Sequence, residues 1–246
     1  MFIEAILLGG LAQISLLLSG LFATWVQVPT RIIGLLAGFG AGSIIGAVAF
    51  DLIIEAEQTL GGLETTLWLL VGAGIFVIGD ALVERRFGAP PGEASSDGQP
   101  VEGSASPLGI ILGAVVDGIP ESLIFGVGVA TGSPLSVAFL AAVIVSNIPQ
   151  ALAPSADLVK AGWTRSRLAT VWGAVVVASA LASGVGFLLA SASSLVTGDR
   201  FAAIAAGGLL AMLTDSLMPF AFERGRRAAG VATVIGFALS VPATLP

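Results

Sequence analysis

Apolar runs long enough to cross a lipid bilayer recur from one end of this chain to the other and leave little of it for anything else. A hydrocarbon core of about 30 Å takes about 20 helical residues. Phe2 to Val28, Arg31 to Ala56, Thr65 to Val83, Pro107 to Thr131, Pro134 to Asp157, Leu168 to Val196, Phe201 to Phe222 and the shorter Ala229 to Leu245 are the candidate spans. The expected fold class is an all-α integral membrane protein with eight transmembrane helices, a single polytopic domain over residues 1–246. Strand-built pores need polar and apolar residues in alternation, which these runs lack. Charged residues make up 11% of the chain, against roughly 25% in soluble domains.

The segment 87–106 breaks the pattern. It is rich in Pro, Gly, Ser and acidic residues, has no apolar period, and reads as a disordered linker. Of the 10 Lys and Arg, all except Arg200 fall in the first, third, fifth and seventh connections: Arg31; Arg85 and Arg86; Lys160, Arg165 and Arg167; Arg224, Arg226 and Arg227. Basic residues of short connections stay in the cytoplasm, so both termini are expected outside and the long linker inside, in a plasma or inner membrane.

The chain contains neither His nor Cys. That excludes disulfides, imidazole or thiolate metal sites, and Ser-His-Asp or Cys-His catalysis, and no nucleophile-base pair suggests an enzyme. A formal charge of -6 with scattered basic residues excludes a nucleic-acid footprint. Any chemistry rests on oxygen.

Gly34, Gly38, Gly42 and Gly46 recur every four residues and form a flat ridge on the second span, a surface for close helix packing. The carboxylates inside the spans point further, because an ionised acid at the bilayer centre costs at least ~2.5 kcal/mol. Asp51 and Glu55 lie on the second span, Asp117 and Glu121 on the fourth, and Asp215 on the seventh. No Lys or Arg lies at comparable depth, so these acids are protonated, hydrated in a cavity, or neutralised by a cation from solution. Asp51 and Glu55 stand near the outer end of their span, and Asp215 lies on the inner side of its own.

Two internal similarities add geometry. Val116-Asp117-Gly118-Ile119-Pro120-Glu121-Ser122-Leu123 aligns with Val145-Ser146-Asn147-Ile148-Pro149-Gln150-Ala151-Leu152. Pro120 and Pro149 cannot donate, which frees the carbonyls of Val116 and Val145 beside Asp117, Glu121, Ser146, Asn147 and Gln150. Such a set makes a hard-cation cage; the alternative is that one protonated acid and two amides tie the helices together. Ala41-Gly42-Ser43-Ile44-Ile45-Gly46 also matches Ala206-Gly207-Gly208-Leu209-Leu210-Ala211, as an inverted repeat would.

At these residues the chain resembles the ZIP family of metal-ion transporters (zinc/iron permeases), whose fourth helix carries His-Asn-x-Pro-Glu-Gly and whose fifth carries a related Pro-Glu-Gly motif. The resemblance covers nearly the whole chain. It implies a 3+2+3 arrangement of eight helices with an inverted repeat, and a two-part metal site between the fourth and fifth helices with further ligands from the second and seventh. By position, Asp117 takes the place of the His and Gly118 of the Asn, Glu121 keeps the Glu, and Gln150 stands where a second Glu is common. The ligands it implies are Asp117, Glu121, Asn147, Gln150 and Ser146, with Asp51 and Glu55 recruiting outside and Asp215 receiving inside. An all-oxygen set suits Mn, Fe(II), Mg or Ca at least as well as zinc.

The expected function is transport of a divalent metal ion into the cytoplasm, with zinc, iron or manganese as substrate and no tightly bound cofactor. Two alternatives stand beside it: a proton-linked carrier of a small organic solute, and a non-transporting metal-sensing protein on the same scaffold. The expected partners are the metal ion and the lipid bilayer, with a homodimer allowed.

Overall fold

The structure is a computed structural model that describes residues 1–87, 107–132, 136–192 and 198–243. Helix dominates these residues and none of them is in a strand. We number the helical rods α1 Phe2–Phe22, α2 Thr30–Leu60, α3 Gly62–Phe87, α4 Pro107–Thr131, α5 Val137–Lys160, α6 Arg165–Ala192, α7 Gly198–Gly225 and α8 Arg227–Ala243. Among the described residues, α1, α2, α3, α5, α6 and α7 are long and apolar enough to cross a membrane, and α8 contains a shorter apolar stretch, Arg227–Val241.

Local chemistry sets the ends. The first helix stops at Phe22 rather than Val28, in a turn that leads to Pro29 before α2. Gly61 closes α2 with φ 81°, a conformation open to glycine but costly for other residues. Ser136 caps α5, its Oγ accepting from the amides of Ala138 and Phe139 at 3.1 and 3.2 Å, so that helix starts at Val137; the expected start at Pro134 lies outside the described residues. The third helix extends beyond its apolar run at both ends and takes in Glu64, Arg85 and Phe87. Apart from Phe87, the expected disordered linker at 87–106 lies outside the described residues.

Two rods contain a wide turn. A π segment, Val48–Ile53, interrupts α2, and another, Leu213–Leu217, interrupts α7. Val48 and Leu213 occupy the same register in the alignment that pairs Gly42 with Gly207. Segments of this kind cluster at functional positions.

The glycine ridge of α2 packs on α8. A Cβ at Gly38 would strike the carbonyl of Ala229, at Gly42 the carbonyl of Thr233 and the amide of Phe237, and at Gly46 the side chain of Ser240. Gly207 of α7 meets α3 in the same way, against the carbonyl of Leu69 and the amide of Ala73. Close backbone approach of this sort is how helices associate where lipid is the solvent. A second group is made of α1, α4, α5 and α6, in which α1 packs on the other three and α4 packs along α6.

The order of contacts fixes relative directions. From Gly38 with Ala229 to Gly46 with Ser240, α2 and α8 run the same way. Asn147 beside Ala12 and Ser155 beside Gly20 make α1 and α5 parallel. Phe2 with Phe187 and Gly20 with Trp172 make α1 and α6 antiparallel. Arg165 lies 3.9 Å over the ring of Trp25, so the end of α1 and the start of α6 share one end of the bundle, with the start of α2 and the end of α7 also brought together by Gly34 and Gly225. At the other end Arg200 of α7 donates to Glu64 of α3 at 2.7 Å, and Trp68 donates to the same oxygen at 3.3 Å.

Candidate functional site

A fully buried amide on α1, Gln13, joins the two helices on which the acids and amides were expected to meet. α4 and α5 touch each other only sparsely, and α1 packs on both. Gln13 Nε2 donates to Glu121 Oε2 of α4 at 2.9 Å, and its Oε1 accepts from Asn147 Nδ2 of α5 at 3.0 Å. Gln13 is 0% exposed, Glu121 2% and Asn147 1%. The chain of contacts lies near the middle of α1, away from both ends of the bundle.

Its polarity follows from its anchor. Ser15 Oγ gives its proton to the carbonyl of Ala12 at 3.1 Å, so toward Asn147 it can only accept. The Asn147 atom facing it at 3.1 Å is therefore the amide nitrogen, which also reaches the Ala12 carbonyl at 3.4 Å. The Gln13 atom facing that nitrogen must be its oxygen, which turns the Gln13 nitrogen toward Glu121. Glu121 Oε2 accepts, and Oε1, equally buried, has no hydrogen-bond partner among the described residues. None of the ion pairs among those residues includes Glu121. An ionised carboxylate so placed is costly unless a proton or a cation satisfies its second oxygen.

The other expected residues are distributed differently. Asp117 faces α7, where Ser216 Oγ donates to its Oδ2 at 3.4 Å from within the π segment. Asp215, the acid expected on the inner path, is exposed at the protein surface. Ser146 is fully buried and donates to the carbonyl of Val143 at 2.9 Å, with Gly40 of α2 against its backbone. Gln150 has a buried Nε2 with no partner among the described residues. Asp51 and Glu55 line a cavity of about 90 Å³ with Asp199, Ser136 and Thr131, toward the end of the bundle opposite Arg165. That volume holds a few waters, at roughly 30 Å³ each.

Three residues escaped the sequence reading. Gln13 is uncharged and escaped a search for intramembrane acids, although a carboxamide in the middle of an apolar run is itself a signal. Ser216 aligns with Asp51 in the internal match, which could have found it. Asp199 lies at the start of α7, where composition alone makes an acid unremarkable. Among the described residues, no three acidic side chains converge to hold a metal ion. No protein-family model matches the chain, and no curated protein matches it.

Proposed function

We propose that this protein carries a divalent metal cation across a membrane on a ZIP-like plan. The observation that supports it most is Glu121: a carboxylate buried mid-bundle, one oxygen pinned by Gln13 and the other without a hydrogen-bond or basic partner among the described residues. A cation entering there replaces the missing partner. The acid-lined cavity of Asp51, Glu55 and Asp199 supports an approach from the far end, and Asp117 with Ser216 supplies oxygens beside Glu121 on α4.

The eight-span, 3+2+3 reading is supported by the helix directions given above, α1 running with α5 and against α6 and α2 running with α8, as alternating crossings require. The inverted repeat is supported by paired seams, α2 on α8 and α7 on α3, and by two π segments at matching register. Seven basic residues, Arg31, Lys160, Arg165, Arg167, Arg224, Arg226 and Arg227, stand at one end of the bundle, which we take as the cytoplasmic one.

A second reading is favoured by the absence of a three-acid cluster among the described residues: Glu121 takes up a proton instead of a metal, and the protein is a proton-linked carrier. Purified protein in liposomes, loaded with a metal-sensitive dye and given zinc or manganese outside, separates the two. Metal entry that Glu121→Gln removes supports the first reading. Proton uptake by the purified protein that Glu121→Gln removes, with no metal entry in the parent, supports the second. Metal binding without entry points to a sensor.

A further inference from the structure

We propose that Gln13 is a specificity-determining positioning residue, which keeps Glu121 a one-oxygen ligand by occupying Oε2 and so disfavours large cations. The proposal rests on the reading above that Glu121 binds the cation. A carboxylate offers a cation either one oxygen or both. Here Oε2 is 2.9 Å from the Gln13 nitrogen, and that nitrogen is held in place because the Gln13 oxygen accepts from Asn147, which is fixed in turn by Ser15 and Ala12. Reversing the Gln13 amide would set nitrogen against nitrogen at Asn147 and oxygen against oxygen at Glu121. The relay therefore holds one orientation, in which Oε2 already accepts a hydrogen bond and is the poorer donor to a cation, while Oε1 has no hydrogen-bond partner among the described residues.

The number of carboxylate oxygens matters by ion. Calcium takes 6–8 oxygens, commonly with a carboxylate bound through both, whereas zinc and the smaller first-row ions are content with fewer ligands. Holding back Oε2 lowers the oxygen count for calcium without removing a ligand that zinc needs. The same relay spends both N–H groups of Asn147 on α1. Gln13 thus acts from outside the ligand set, through an atom of Glu121 that the ion does not touch.

The test uses the full chain in liposomes, with zinc, manganese and calcium each supplied alone and then in competition. Gln13→Leu removes both hydrogen bonds while keeping an apolar volume in a buried position. Gln13→Met repeats this with a flexible side chain, so that misfolding of one variant does not decide the result. We expect the zinc-to-calcium preference in uptake to fall roughly 10–100-fold in both variants, the range for loss of a group that orients a metal ligand. The apparent KM for calcium should fall while the maximal rate for zinc changes little. A structural role alone would lower all rates together and leave the ratio unmoved. An unchanged zinc-to-calcium ratio in folded Gln13→Leu and Gln13→Met, with Glu121→Gln still inactive, overturns the role of Gln13 and leaves the transport reading intact. Unchanged metal uptake in Glu121→Gln overturns the transport reading itself, and the Gln13 proposal with it.

Discussion

Glu121 and Glu57 carry the same functional group in different surroundings, and the difference defines what each substitution does. Glu121 is buried beside Gln13, whereas Glu57 is exposed near the end of α2. Glu121→Gln should remove most metal uptake, at least about tenfold, because the cation loses the charge that compensates its desolvation. Glu57→Gln should stay within about twofold of the parent, since water already solvates that carboxylate. Uptake measured at equal protein density in liposomes checks both, and equal rates for Glu121→Gln and parent would remove Glu121 from the path. Much of this was legible in the sequence: Glu121 stood out as an acid without a counter-ion. Gln13 did not, because a neutral amide changes no charge balance, and its importance appears only once α1 is seen lying between α4 and α5. Asp215 drew attention for its charge, yet it is exposed and its neighbour Ser216 contacts Asp117 instead. Charge marks depth along a helix, but which side of the helix a residue occupies depends on packing, and a π segment shifts that side by a further residue.

At the scale of the helix, the glycine ridge on α2 makes its own prediction. Gly42→Leu would push a side chain into the Thr233 carbonyl and the Phe237 amide, backbone atoms that cannot rotate aside. Overpacking costs about 1–3 kcal/mol where side chains can adjust, so the loss here should reach at least the top of that range. Gly62→Leu, at a position with open space around it, should cost little beyond a change in helix propensity. Thermal unfolding in detergent, followed by helicity, measures both, and equal midpoints for the two variants would show that α2 and α8 do not meet along this ridge. The four-residue spacing was readable from sequence, while the identity of the partner was not: small residues state that something comes close, and only the fold states that it is α8. The helix boundaries were legible to within a turn for most rods. They missed most at the end of α1, which stops at Phe22 instead of Val28 because the chain turns before Pro29, and less at α3, which continues into Arg85 and Phe87 because a helix need not stop where hydrocarbon does. The wide turns left no trace, since one additional residue in a turn leaves composition and apolar run length unchanged.

For the molecule as a whole, the distribution of charge between its two ends predicts how it lies in the membrane. The chain has no cysteine of its own, so single introduced thiols report cleanly. In intact cells, Gln58→Cys, exposed near the end of α2, should react with an impermeant reagent, and Arg85→Cys, exposed near the end of α3, should react only after the membrane is opened. The reverse pattern would invert the molecule and with it the order proposed for a cation's passage by Asp51, Glu121 and Ser216. Arg200 is the basic residue on the opposite side, and its pairing with Glu64 neutralises it there.

The two glycine seams also bear on how the protein is made. α3 leans on the rest of the bundle mainly through α7, and α2 keeps its closest approach for α8. Both partners belong to the last part of the chain to be synthesised. At about 5–20 residues per second, α2 and α3 wait on the order of ten seconds in lipid before the surfaces that fit them emerge. During that interval the glycine faces that will meet α7 and α8 meet acyl chains instead, while α2 can pack on α5 through Gly40 as soon as α5 is made. The apolar excess of these helices is therefore a condition of biogenesis as well as of the finished bundle, and a ribosome that stalls after α6 leaves two open grooves in the bilayer, with nothing of its own to fill them.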